Sequence, residues 1–369
     1  MNQKLMKKSL ITLAVLGAFA GAAQAQAPAT VVTLYGSFDG GVRNVTNVNA
    51  AGDSRMTVGS GGTYNSNRLG FKGTEDIGGG NNAHFALELG FNTGTGALDT
   101  IANTTSALFH RTAAVGMGGS WGSIDIGRQY SVAFKVIAGY DPFNYKYTGI
   151  IPVTTASIGS QVLGTPTATA AAAGIGGVTR FNNDIQYAGG FGPVTVRAEY
   201  ALGEQTGSRS RGSAEGVGVT YAAGPISVGG AYSEQKPNMG TTALPSWQDR
   251  KQSTIGGAFK AGPFRAAVGY IDDKVSTGTA AGEKKTKNIW GGGSFTVSPA
   301  VEASLGVYQT KVSGAFPEGK RTLYIAGVTY GFSKRTNLYA DIDQAKLSGS
   351  LLTVKDKQNG LSVGINHTF

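Results

Sequence analysis

The side chains able to do chemistry in this sequence are mostly cations set singly among apolar residues. Arg68 and Lys72 flank the segment Leu69-Gly70-Phe71. In an extended strand successive side chains point to opposite faces, so Arg68 and Lys72 share one face while Leu69 and Phe71 share the other. A row of cations on one wall attracts anions, but it does not break bonds without a nucleophile or a general base. Neither is evident. There are three histidines, His84, His110 and His367, and no cysteine, and no Cys/His spacing suited to a metal occurs. Gly118-Gly119-Ser120-Trp121-Gly122 and Gly360-Leu361-Ser362-Val363-Gly364 both match G-x-S-x-G. That motif makes a nucleophile only on a strand-to-helix elbow. The first lies in a tight turn and the second inside a strand, so no catalytic, metal or cofactor site is expected.

The elements that must position these cations are strands. Phe85, Leu87, Leu89 and Phe91 alternate with His84, Ala86, Glu88 and Gly90. Val194, Val196, Ala198 and Tyr200 alternate with Thr195, Arg197 and Glu199, and Val301, Ala303, Leu305 and Val307 with Glu302, Ser304 and Tyr308. Each segment has one apolar and one polar face. Sixteen such strands are expected, beginning near residues 32, 64, 82, 108, 122, 180, 193, 213, 226, 252, 264, 287, 301, 321, 337 and 360. Their connections alternate between short ones, such as Glu75–Asn81 and Ala261–Pro263, and long polar ones, such as Asn44–Gly62 and Lys274–Thr286. Tight turns at one end and long loops at the other are the rhythm of an up-and-down membrane barrel. Gly-Pro recurs at 192–193, 224–225 and 262–263, at strand starts where proline need not donate to the ladder. The final strand, Gly360 to Phe369, puts Leu361, Val363, Ile365, His367 and Phe369 on one face. It is expected to close against the first strand, whose Leu34, Phe38 and Val42 share a face.

The start of the chain fixes the compartment. Met1–Lys8 is basic, Ser9–Ala20 is apolar, and Ala23-Gln24-Ala25 reads as an export cleavage signal, so residues 1–25 are expected to be a cleaved signal peptide and 26–369 the barrel. The apolar stretch is shorter than the roughly 20 residues a spanning helix needs. The formal charge is +10, of which Lys4, Lys7 and Lys8 belong to the leader. The remaining basic residues are scattered singly among glycines and aromatics rather than in runs, which argues against a nucleic-acid arm.

Several motifs resemble one family. Val32-Thr33-Leu34-Tyr35-Gly36, the long segment from Ser66 to Gly80 (Ser-Asn-Arg-Leu-Gly-Phe-Lys-Gly-Thr-Glu-Asp-Ile-Gly-Gly-Gly), Leu87-Glu88-Leu89-Gly90-Phe91-Asn92 and Gly127-Arg128-Gln129 are similar to the general trimeric porins of Gram-negative bacteria, with the betaproteobacterial and neisserial branch nearest. The resemblance covers essentially the whole mature chain. It implies an all-β protein: a 16-stranded antiparallel transmembrane β-barrel whose third long loop, residues 131–178, folds into the lumen as a constriction. It further implies a homotrimer in outer-membrane lipid and lipopolysaccharide, with the C-terminal Phe369 read by the barrel-assembly machinery.

A diffusion pore is defined by its narrowest ring and the charges there. The resemblance places Arg68 and Arg111 on a basic constriction wall and adds Arg180; alternation adds Lys72. Between Asp125 and Asp184 the long loop holds one acid, Asp141, with Lys135 and Lys146 nearby. The expected constriction residues are therefore Arg68, Arg111, Arg180, Lys72 and Asp141, and the expected preference is for small anions among hydrophilic solutes. Alternatives left open are a substrate-specific channel for phosphate or an organic anion, a surface adhesin and a barrel hydrolase.

Overall fold

Residues that alternate between apolar and polar form strands because each face then meets one kind of surroundings. The computed structural model describes residues 31–49, 51–59, 64–99, 107–147, 179–236, 249–276, 282–315, 317–352 and 355–369. The expected signal peptide, residues 1–25, and positions 148–178 of the third loop lie outside the described residues.

The strands in chain order are β1 (Val31–Val45), β2 (Arg55–Gly59), β3 (Arg68–Gly78), β4 (Asn81–Leu89), β5 (Thr112–Gly119), β6 (Gly122–Tyr130), β7 (Arg180–Phe191), β8 (Val194–Ala201) and β9 (Ala214–Ala223). They continue as β10 (Ile226–Gln235), β11 (Arg250–Ala261), β12 (Phe264–Ser276), β13 (Glu283–Ser298), β14 (Val301–Gly314), β15 (Gly319–Gly331), β16 (Thr336–Gly349) and β17 (Lys357–Thr368). A single helix with described packing, α1 (Val132–Ile137), follows β6. From β3 to β17 each strand pairs antiparallel with the next. β1 then closes the ring against β17, from Ser37↔Thr368 to Val45↔Gly360. Phe369 completes the seam: its backbone N–H and C=O bond to the C=O and N–H of Gly36, each at 3.2 Å.

The second wall position is split. β1 pairs with β3 over Val31–Ser37 and with β2 over Gly41–Val45, so seventeen strands occupy sixteen places around the barrel. The sequence suggested one strand from about residue 64 after a polar loop; instead β2 lies inside that loop and β3 starts at Arg68. Asp39 causes the break. Its Oδ2 accepts from the backbone N–H groups of Tyr64 (3.3 Å) and Asn65 (3.0 Å), and its own N–H donates to Asn67 Oδ1. These bonds satisfy N–H groups that have left the ladder, so residues 64–67 are held in the interior.

The barrel is inverted relative to a soluble protein. Outward positions are apolar and open, with Val115 60% and Leu305 67% exposed, whereas inward Gln252, Asn288 and Ser362 are 1%, 1% and 0% exposed. Only surroundings of hydrocarbon outside and polar contents inside make that distribution stable. Phe191, Phe264, Phe295 and Phe332 stand exposed near the tight-turn rim, where an aromatic girdle meets the membrane interface. At this rim Gly192, Gly224 and Gly262 adopt φ of +59°, +55° and +54°, a conformation glycine takes without cost. No described helix is long and apolar enough to cross a membrane.

Candidate functional site

After β6 the chain leaves the wall and crosses the interior. Ser131 caps α1 by accepting from Phe134 N, and Glu199 on β8 accepts from Val132 N at 2.9 Å. Val132 and Val136 are fully buried, because this helix lies against the inner wall and not in the water. Farther along, the Tyr140 hydroxyl bonds Thr254 on β11 at 2.7 Å, and Trp290 on β13 donates its indole N–H to Tyr140 O at 3.1 Å. Arg265 on β12 donates to the carbonyls of Asp141 (2.8 Å) and Pro142 (2.7 Å). The described segment ends where Tyr147 N donates to Tyr64 O at 2.7 Å and the Tyr64 ring stacks on Tyr339 at 4.5 Å. Residues 131–147 thus follow the wall from β8 to β16, and the inturned residues 64–67 meet their far end.

The expected cations gather on the other side of this loop. Glu88 on β4 accepts from Arg111 Nε at 2.7 Å and from the Tyr35 hydroxyl at 3.1 Å. Arg111 Nη2 donates to the Tyr130 hydroxyl at 2.9 Å. The guanidinium of Arg180 lies 3.8 Å above the Tyr130 ring, and Lys72 lies 5.4 Å over the Tyr35 ring. Arg68 approaches Asn65 Oδ1 at 3.4 Å and is within electrostatic reach of Tyr35. The structure therefore brings together Arg68 and Lys72 of β3, Arg111 just before β5 and Arg180 of β7. Tyr35 and Tyr130 serve as spacers between them. Among the described residues only Arg111 of these four forms an ion pair, with Glu88 and, at 3.7 Å, with Asp99.

Parity had failed for Arg111, since Phe109, Ala113 and Val115 share its phase. The reason is visible: Arg111 precedes β5 and its backbone N–H bonds to Glu88 O, so its direction comes from a turn and not from the pleat. Arg128, part of the Gly127-Arg128-Gln129 motif, pairs in register with Ala113 on the outward phase of Val115 and Ile126. It bonds His110 O and the Asn182 side chain and has no carboxylate partner among the described residues.

Asp141 is a correction. It was expected to line the constriction, yet it is 1% exposed and all its acceptors are used inside the loop and wall. Oδ1 accepts from the Tyr308 hydroxyl at 3.1 Å, and Oδ2 from Phe143 N (3.0 Å) and Tyr145 N (2.9 Å). Burial pushes this carboxyl up to about 6, the bonds it accepts opposing that rise. Lys135 is likewise turned to the wall, where burial pushes its ammonium down; it bonds Gln129 and Gln186. Both charges hold the loop and do not face the water path. His84 pairs with Asp125 at 2.9 Å, His110 with Asp99, and His367 bonds Thr336 on the outer face. No group of three or more His, Cys, Asp or Glu among the described residues could hold a metal.

Comparison with known proteins agrees with this architecture. Residues 12–350 match the family described as Gram-negative porin. Outer membrane porin protein 32 of Delftia acidovorans is 32% identical, with 99% of this chain and 100% of that protein aligned. An outer membrane porin of Bordetella pertussis is 29% identical over 99% and 100% of the two chains. Among solved structures, an anion-selective porin from Comamonas acidovorans superposes with a TM-score of 0.75 at 27% identity, covering 92% of this chain and all of that one.

Proposed function

Because the chain belongs to the Gram-negative porin family and forms an outer-membrane pore, we propose that its lumen passes small hydrophilic solutes with a preference for anions. The observation that carries this is the unequal pairing of charges along the water path. Arg68, Lys72 and Arg180 have no carboxylate partner among the described residues, while the one acid in the described loop is buried in hydrogen bonds. A narrow channel through low-dielectric walls screens such a field less than an open surface does, so anions are concentrated and cations depleted. The Comamonas porin of similar fold is itself described as anion-selective, which supports the same sign.

The relatives are channels and not enzymes, and transport here needs no bond to break. Arg68, Lys72, Arg111 and Arg180 are the proposed constriction wall, and residues 131–178 the proposed constriction loop. Cleavage of residues 1–25, assembly as a homotrimer, contact with lipopolysaccharide and recognition of Phe369 by the assembly machinery complete the proposal. Swelling of proteoliposomes in matched neutral and anionic solutes tests it. Anionic solutes should enter faster than neutral ones of equal size, and equal rates would defeat the charge preference.

A further inference from the structure

The inward loop lies unusually close to the wall, and the wall residues beneath it are glycines. Val132 and Val136 occupy the space where a Cβ on Gly218 would stand, at 2.6 and 2.8 Å from it. Val136 also comes within 3.2 Å of the same point on Gly229, and the Tyr140 ring stands closer still to that on Gly256. Pro142 approaches that point on Gly292 at 3.1 Å, Phe143 that on Gly306 at 2.8 Å, and Tyr147 that on Gly327 at 2.5 Å. These glycines lie on β9, β10, β11, β13, β14 and β15, all on the inward face: Val217, Val228, Ile255, Leu305 and Val328 point outward beside five of them, and Gly292 pairs in register with Gly306. They also form a connected path: Gly229 is the register partner of Gly256, and Gly292 of Gly306. On the intervening β12, Gly269 leaves room for Trp290, the residue that holds Tyr140.

A side chain cannot stand where the loop already stands. Non-bonded carbons rest at about 3.5–4.0 Å, so a methyl group on Gly327 would force the Tyr147 ring to retreat by about 1 Å or more. Tyr64 and Phe143 already pack the ring at 5.0 and 5.3 Å, so the ring cannot retreat alone and the loop is displaced off the wall with it, toward the water path. We propose that these wall glycines set the width of the pore: they recess the barrel surface by one side-chain layer, and the loop sinks into the recess. The solute size limit is then fixed by positions on β9–β15 that touch no solute, separately from the basic wall that fixes ion preference. The inference rests on the chain conducting as a pore.

Gly218→Ala, Gly306→Ala and Gly327→Ala test it, since at these positions the nearest atoms are loop side chains and not backbone. Single-channel conductance and the polymer size that blocks it should both fall relative to wild type, while the reversal potential in a salt gradient stays the same. Gly327→Ala combined with Tyr147→Ala should restore conductance to wild-type level or above. If Gly327→Ala alone does not fold, recovery of folding in the double variant supports the proposal, and failure of both overturns it. Folded variants with unchanged conductance and size limit also overturn it. A wild-type protein without conductance would instead defeat the pore reading itself.

Discussion

The guanidinium of Arg180 rests 3.8 Å above the ring of Tyr130, and that ring continues a stack through Phe134 at 4.5 Å to Tyr145 at 4.3 Å. Arg180 is thus held by an aromatic face and not by a carboxylate, which fixes its direction without neutralising its charge. A cation on an aromatic face gains about 0.5–2 kcal/mol. Tyr130→Leu removes the face and lowers anion preference, and Arg180→Glu lowers it further. Reversal potentials of the two variants, read against wild type, check this; an unchanged Arg180→Glu channel would remove Arg180 from the water path.

Arg68 has no ion-pair partner among the described residues and lies beside residues 64–67, which turn inward. Arg68→Glu reverses a charge on the wall and is expected to shift permeability toward cations in single-channel recordings. No shift would place Arg68 away from the constriction.

Arg111 behaves differently because Glu88 compensates it at 2.7 Å with both side chains buried. Glu88→Gln leaves that guanidinium uncompensated. Breaking one side of a buried pair costs about 3–5 kcal/mol, so the folded barrel should melt at lower temperature, while surviving channels become more anion-selective. Arg111→Gln should destabilise comparably and move selectivity the opposite way. Melting by gel mobility and reversal potentials measure the two effects on the same samples.

Asp141 gives the loop a pH dependence of defined sign. Its carboxyl sits at about 6 when folded, burial being the main cause, against an unfolded value near 3.9. The folded state therefore holds the proton more tightly, so Asp141's contribution is fully present below about pH 4 and is lost as pH rises through 6. Two pH units correspond to about 3 kcal/mol at most. Asp141→Asn cannot ionise. Its melting temperature relative to wild type should rise between pH 4 and 6 and level off above, and a pH-independent difference would contradict the assignment.

Phe369 ends the ladder that closes the barrel. The Phe369 ring lies against Gly36 and stacks with Phe38 at 5.6 Å, while its backbone completes the β1–β17 seam. Phe369→Ala keeps the backbone bonds and loses only ring burial, a cost of about 1.5–3 kcal/mol. Thermal unfolding of the purified barrel should show a lower midpoint; an unchanged midpoint would mean that the ring adds nothing to closure.

Strand positions were readable because alternation is a two-residue signal repeated at every wall position, and β6, β7, β10, β12 and β14 begin at the expected residues. The split of the second strand was not readable, since it depends on Asp39 meeting Tyr64 and Asn65 across a turn that carries no periodic pattern. Lys72 and Arg68 were legible from their phase in β3. Arg111 and Arg180 needed a family resemblance, because both sit at strand starts where phase is weakest. Asp141 was misread for a different reason: charge type can be seen in a sequence, but burial against Tyr308 cannot. The wall glycines looked like ordinary strand glycines until the loop was seen resting on them.

The proposed anion preference requires more uncompensated positive than negative charge along a water-filled path. The zero-current potential of single wild-type channels in a salt gradient tests it most directly. Stepwise conductance is expected, with a potential of the sign set by chloride and a magnitude that shrinks as ionic strength rises. A closed barrel, or a potential of the sign set by potassium, would contradict it.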